Sequence, residues 1–160
     1  MVYNAIGQSA QPILSYNFGA GNGVRVRKAF RLSLVTAVVT GLAFFGVTAL
    51  FSHWIVEMFI DSSYPAYAIA VKGLPLFASG FVFFAVNIVS IGYFQSVERP
   101  RPAMAVTLLR GFVFMILCFF GLPLLFGVEG IWLAVPLAEV LTFAVVGAIY
   151  WRGRHLVPTR

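Results

Sequence analysis

The sequence predicts an all-α integral membrane protein, a polytopic helical bundle of four full transmembrane helices preceded by an N-terminal half helix. Of its 160 residues, 61% are hydrophobic and only 10% are charged, whereas soluble domains average about 45–50% apolar and about 25% charged residues. The 11 basic and 5 acidic side chains are too few to cover a soluble fold of this length. The 17 phenylalanines exclude a disordered chain, because disordered segments are poor in aromatic residues.

Four apolar segments are long enough to cross a bilayer, since about 20 helical residues span about 30 Å of hydrocarbon. Amphipathic rings mark their ends: Trp54 closes the first segment, Tyr93 lies near the end of the second, and Trp151 closes the fourth. Residues 1–18 are shorter and rich in amides, which favours the C-terminal half of a fifth helix over a soluble N-terminal peptide. The predicted order is a partial transmembrane helix 1–18, a cytoplasmic basic loop 19–31, a transmembrane helix 32–56, an external loop 57–72, a transmembrane helix 73–97, a cytoplasmic loop 98–103, a transmembrane helix 104–127, an external turn 128–130, a transmembrane helix 131–151 and a cytoplasmic tail 152–160.

The net charge of +6 is distributed in clusters between the apolar segments rather than over one face. That arrangement argues against a nucleic-acid partner, which would need a continuous basic surface. The successive connections carry four, one, two and no basic residues, and the tail after Trp151 carries three. This alternation predicts that 19–31, 98–103 and the C-terminus are cytoplasmic, because basic residues accumulate on that side.

The sequence offers little for catalysis or metal binding, and we expect no enzyme activity and no bound cofactor. Cys118 is the only cysteine and lies in an apolar segment, and the predicted topology places His53 and His155 on opposite sides of the membrane. The glycine-rich run 19–23 could resemble a phosphate-binding loop, but no strand precedes it and its spacing differs from the known fingerprints. A helix end followed by a tight turn explains it better.

Two charges fall inside the predicted spans. A carboxylate such as Glu139 is expensive near the middle of a membrane, so it is a functional candidate by default. At about 1.5 Å per residue, Glu139 lies about 18 Å from the cytoplasmic end of its helix and Arg110 about 10 Å from the same end of its own. We favour a structural ion pair between Arg110 and Glu139 and keep a proton or cation site as the alternative.

A possible substrate pathway follows one face of the span 73–97. Its polar and aromatic residues recur at helical spacing, and a face of this kind suits amphipathic organic cations. The alternative is that Asn87 and Ser90 bond to a neighbouring helix. The candidates on this face are Ser79, Phe83, Asn87, Ser90 and Phe94.

The segment 11–28 resembles the signature that follows the eighth helix of MATE-type multidrug and toxin extrusion transporters. It reads Gln-Pro-Ile-Leu-Ser-Tyr-Asn-Phe-Gly-Ala over 11–20, followed by Arg-Val-Arg-Lys over 25–28. Weaker similarities downstream keep the order and spacing of the four spans. The motif residues are Gln11, Pro12, Tyr16, Asn17, Gly19 and Ala20.

The resemblance implies helices eight to twelve of a twelve-helix efflux antiporter that works by alternating access and is driven by Na⁺ or H⁺. The eighth helix of such proteins borders the central cavity, which adds Gln8 and Gln11 to the pathway candidates. The span 73–97 has no acidic residue, so the resemblance points to a coupling site outside this chain. Expected partners are membrane lipids, an N-terminal lobe, and amphipathic organic cations or metabolites as substrates, and the expected location is the bacterial inner membrane. Two alternatives stay open: a flippase of lipid-linked saccharides with the same broad fold, and a small membrane scaffold that does not transport.

Overall fold

The computed structural model describes residues 1–152, and all the regular structure in them is helical. The prediction of an all-α membrane bundle is therefore confirmed. Eight α-helices and one π-helical segment follow each other with short connections. They are α1 Val2–Gly19, α2 Gly23–Leu50, α3 Ser52–Glu57, α4 Pro65–Ala78, α5 Phe81–Ser96, α6 Pro100–Leu108, the π-helical segment Leu109–Phe114, α7 Met115–Phe126 and α8 Val128–Arg152.

Three helices are long and apolar enough to cross a membrane by themselves: Gly23–Leu50, Pro100–Phe126 and Val128–Arg152. The second of these is continuous through α6, the π-helical segment and α7. A fourth span results if α4 and α5 count as one helix bent by 42°. Large apolar side chains stay exposed along these helices, as at Val39, Phe120 and Leu124. A lipid environment accounts for this exposure, because a soluble fold would bury such side chains.

The predicted loop 19–31 is too long. Helix α2 begins at Gly23, since the side chain of Asn22 accepts a hydrogen bond from the backbone N–H of Arg25 (3.1 Å) and so caps the helix. The basic residues Arg25, Arg27, Lys28 and Arg31 therefore lie on the first turns of α2, exposed to the surroundings.

The predicted span 73–97 contains a break. It divides at Ser79 and Gly80, where α4 ends and α5 begins. Gly80 packs so closely on α8 that a Cβ atom there would lie 2.8 Å from the Cα of Pro136. Much of the predicted external loop 57–72 is helical, because α4 already begins at Pro65, a residue type favoured at a first helical position.

Helix α5 is the centre of the bundle. It contacts α1, α2, α6 and α8, and small side chains on it allow these helices to approach. Ala85 is completely buried beside Ala37 of α2. Farther along the same pair of helices, a Cβ atom on Gly41 would lie 2.9 Å from the Cα of Val82. Half of the α5 residues are buried, among them the polar residues Asn87, Ser90 and Ser96, whereas Gln95 is exposed.

One end of the bundle gathers the basic residues. The beginnings of α2 and α6 and the ends of α5 and α8 share an apolar cluster there, in which Val26, Val97 and Val146 are buried. The segments that the charge alternation assigns to one side of the membrane thus lie together, and which side this is stays a prediction. Of the predicted tail, only Arg152 lies within the described residues, whereas Arg154, His155 and Arg160 lie outside them.

Candidate functional site

Arg110 and Glu139 are in direct contact. The Nε atom of Arg110 donates to Oε1 of Glu139 at 2.7 Å. Asn87 of α5 donates from Nδ2 to the other carboxylate oxygen, Oε2, at 2.8 Å and to the backbone carbonyl of Glu139 at 2.9 Å. The Glu139 side chain is only 1% exposed, so these donors replace the water that a carboxylate would otherwise require.

Arg110, Glu139 and Asn87 form a triad, and its arginine belongs to the π-helical segment. Arg110 is the second of its six residues, and π-turns inside α-helices occur often at functional sites. The guanidinium carbon lies 4.3 Å from the ring centroid of Phe84 on α5, within the range of a cation–π interaction. Sequence reasoning missed the π-turn. Gly111 lowers the local helix propensity, but this weak signal does not predict a π-turn.

A polar cleft of about 270 Å³ opens beside the triad, between α1, α5 and the helix that carries Arg110. The predicted candidates Gln8 and Gln11 both line it. Gln11 donates from Nε2 to Oε1 of Gln95 at 3.1 Å, and Gly92 leaves room for this contact because it has no side chain. The complete lining is Asn4, Gly7, Gln8, Gln11, Ile88, Ile91, Gly92, Gln95, Thr107 and Arg110.

The other five pathway candidates lie elsewhere. Asn87, Ser90 and Phe94 are buried inside the bundle, and Phe83 packs edge-on against Phe143 of α8 with 5.5 Å between ring centroids. Ser79 is exposed at the bend and donates to the backbone carbonyl of its own helix. None of the five lines the polar cleft. Asn87 bonds to α8, which is the alternative to a pathway role that the sequence leaves open.

Sequence reasoning did not identify three polar residues of the cleft: Asn4, Gln95 and Thr107. A signal for one of them exists. Asn4, Gln8 and Gln11 are four and three residues apart, so they share one face of α1. Nothing local marks Gln95 or Thr107, because their membership depends on how α1, α5 and α6 pack.

The predicted motif forms the turn between α1 and α2. Asn17 is buried and donates to the carbonyl of Ile13 at 2.8 Å, while its own carbonyl accepts from the N–H of Asn22 at 2.9 Å. Gly21 has a φ of +69°, a conformation that glycine adopts at little cost. Pro12 lies within α1, Tyr16 is exposed, and Gly19 and Ala20 end the helix. This geometry is a helix end and a tight turn.

The remaining chemistry-bearing residues do not cluster. Cys118 is buried against Ala134 and Ala138 of α8, and Nδ1 of His53 lies 3.1 Å from the Tyr67 hydroxyl. Within residues 1–152, no group of three or more His, Cys, Asp or Glu side chains is placed to hold a metal ion.

Comparisons with known proteins agree with the bundle and the motif. The family model MatE matches residues 1–122, which include the whole cleft lining and Arg110 but not Glu139. A search of curated proteins and a search of solved structures found no match. Because the matched segment covers well over half of the 160 residues, the chain belongs to the MatE family of membrane transporters.

Proposed function

We propose that this chain forms one wall of the substrate pathway of an efflux antiporter that works by alternating access and is driven by Na⁺ or H⁺. The polar cleft between α1, α5 and α6 carries the proposal. Amides inside a membrane protein normally face the bundle interior or a water-filled cavity, and here Asn4 and Gln8 are exposed at a cleft. Membership in a transporter family gives such a cleft a function.

The lining suits amphipathic organic molecules. Ile88 and Ile91 supply apolar surface, and the amides of Asn4, Gln8 and Gln95 offer both donors and acceptors. Ligand sites combine these two features, with few polar groups set in apolar walls. Since Phe83 and Phe94 lie away from the cleft, this wall offers a substrate amide groups and the guanidinium of Arg110 rather than aromatic faces.

The same proposal assigns the opposite wall and the coupling site to an N-terminal lobe of the type this family has. In support, the cleft lining within residues 1–152 contains no carboxylate. The proposal also places the protein in the bacterial inner membrane with the basic end of the bundle in the cytoplasm, as the charge alternation predicts. A saccharide flippase is less favoured, because Arg110 is the only basic residue of this lining.

Dye binding tests the cleft directly. The chain, purified in phosphatidylcholine nanodiscs, is titrated with ethidium, an amphipathic organic cation, and the fluorescence change gives the affinity. Replacing both amides, Gln8→Leu with Gln11→Leu, should weaken ethidium binding about thirtyfold, since each of the two lost hydrogen bonds contributes about 1 kcal/mol.

Ser15→Leu is the matched control, because Ser15 is exposed on α1 but does not line the cleft. It adds apolar surface to the same helix and should leave ethidium binding unchanged. Equal affinities for the wild type and the double variant would rule out the cleft as a binding wall.

A further inference from the structure

Arg110 has donors that its ion pair does not use. Glu139 accepts from Nε of Arg110 through Oε1, and its second oxygen, Oε2, accepts from Asn87. Within the described part of the chain, the two terminal Nη groups of Arg110 have no hydrogen-bond acceptor. The side chain is 19% exposed and contributes to the cleft lining. Arg110 therefore contributes to the cleft lining while the four N–H donors of its two Nη groups are unused by residues 1–152.

This arrangement differs from a purely structural ion pair. Arginine and carboxylate pair best in a bidentate fork, with two parallel N–H···O bonds. Here the carboxylate of Glu139 binds one edge of the guanidinium only, and the ring of Phe84 supports the group at 4.3 Å. The contacts orient the guanidinium plane and leave part of its fork open, which is the geometry expected of a binding group held by its neighbours.

We propose that the open fork of Arg110 binds a carboxylate of the transported compound, so that the cleft accepts amphipathic acids and zwitterions. The proposal rests on the cleft being part of the substrate pathway. A carboxylate at Arg110 would have the amides of Gln8 and Asn4 and the side chain of Ile88 along the same cleft for the rest of the molecule. These groups match a molecule with one acidic end and an amphipathic body.

A lipid headgroup is a less suitable occupant. Arg110 is ten residues from the start of its helix at Pro100, which corresponds to about 15 Å along the helix axis. With Pro100 at the membrane surface, as the charge alternation predicts, Arg110 lies near the middle of about 30 Å of hydrocarbon, whereas lipid phosphates lie at its surface. A carboxylate on a soluble amphipathic compound can reach this depth through the cleft.

Two rhodamine dyes separate the carboxylate from the rest of the ligand. Rhodamine 110 carries a free carboxylate, and rhodamine 123 is its methyl ester with the same ring system. Both are titrated by fluorescence anisotropy against the full chain in phosphatidylcholine nanodiscs. We expect rhodamine 110 to bind about tenfold more tightly than rhodamine 123, as a charge-assisted hydrogen bond contributes about 1.5–3 kcal/mol.

Variants of the Arg110–Glu139 ion pair distinguish ligand binding by Arg110 from a purely structural role of the pair. Glu139→Gln removes the competing carboxylate and should tighten rhodamine 110 binding about fivefold, because the ligand then meets an uncompensated guanidinium. Arg110→Gln with Glu139→Gln removes both charges together, which avoids burying an unpaired carboxylate, and should abolish the preference for rhodamine 110. Arg101→Gln is the control, since it removes an exposed guanidinium that lies outside the cleft lining, and it should leave the preference for rhodamine 110 unchanged.

The outcomes separate this proposal from the proposed function. If both dyes bind equally to the wild type and to the double charge variant, the carboxylate subsite is refuted, while weakening of both by Gln8→Leu with Gln11→Leu keeps the cleft. If neither dye binds more tightly to nanodiscs that contain the chain than to empty nanodiscs, both proposals are refuted. Loss of rhodamine 110 binding in nanodiscs that contain phosphatidylglycerol would reassign the subsite to lipid and overturn the proposal.

Discussion

Two polar regions of this protein lie at membrane depth and share a residue chemistry, but they differ in burial. At the interface between α5 and α8, the side chain of Asn87 is fully buried and donates twice to Glu139. At the cleft between α1, α5 and α6, the amide of Gln8 is exposed. The same functional group therefore stabilises the fold in one region and is available to a ligand in the other. Arg110 connects the two regions, because it binds Glu139 and also lines the cleft.

The largest loss of stability should come from removing the positive charge of Arg110. Arg110→Leu leaves the carboxylate of Glu139 buried at 1% exposure without a counterion, which typically costs about 3–5 kcal/mol. We expect little folded protein in membranes and a large loss of stability when unfolding is followed by titration with sodium dodecyl sulfate in mixed micelles.

Exchanging the two charges refines this result. In Arg110→Glu with Glu139→Arg, the new arginine would face the N–H donors of Asn87 instead of an acceptor, so we expect only partial recovery. Full recovery would show that the Asn87 contacts contribute nothing, and a wild-type stability for Arg110→Leu would show that the pair itself is dispensable.

A comparison of two amides tests the difference between the regions directly. Asn87→Leu removes both donors to Glu139 and should destabilise the bundle by about 1–3 kcal/mol, the usual penalty for leaving buried acceptors unsatisfied. Gln8→Leu should leave the unfolding midpoint unchanged while it weakens ethidium binding. The same titration and the same dye assay measure both variants, and equal loss of stability in the two would remove the distinction between the regions.

A destabilisation of the same order as that of Asn87→Leu is expected at the contact between α2 and α5. Gly41→Ala should destabilise the packing of α2 on α5 by about 1–3 kcal/mol through overpacking, because the new Cβ atom would lie 2.9 Å from the Cα of Val82. Gly46→Ala, on the same helix, is the control, since a Cβ atom there meets nothing within 4 Å. A destabilised Gly46→Ala variant would indicate a general intolerance of α2 rather than a close approach.

Sequence reasoning located most of what this comparison needs but not how it is arranged. It placed Arg110 and Glu139 within antiparallel spans at a reachable depth, and it placed Gln8 and Gln11 in the polar first helix. It did not foresee the break inside the predicted span 73–97, which lies at the close approach of Gly80 to Pro136 of α8. It missed the π-turn that carries Arg110, since no residue type specifies such a turn.

Composition and charge order are properties of single residues and their spacing. By themselves they determined the class of the protein, an all-α membrane protein. They also determined the order of its apolar segments and the identity of its two intramembrane charges. The tertiary structure alone decided which polar faces are closed and which are open. Helical spacing places Asn87 and Gln8 each on a polar face, but a face becomes an interface or a cleft only when a neighbouring helix packs against it. For Asn87 that neighbour is α8, and for Gln8 the space beside α5 stays open.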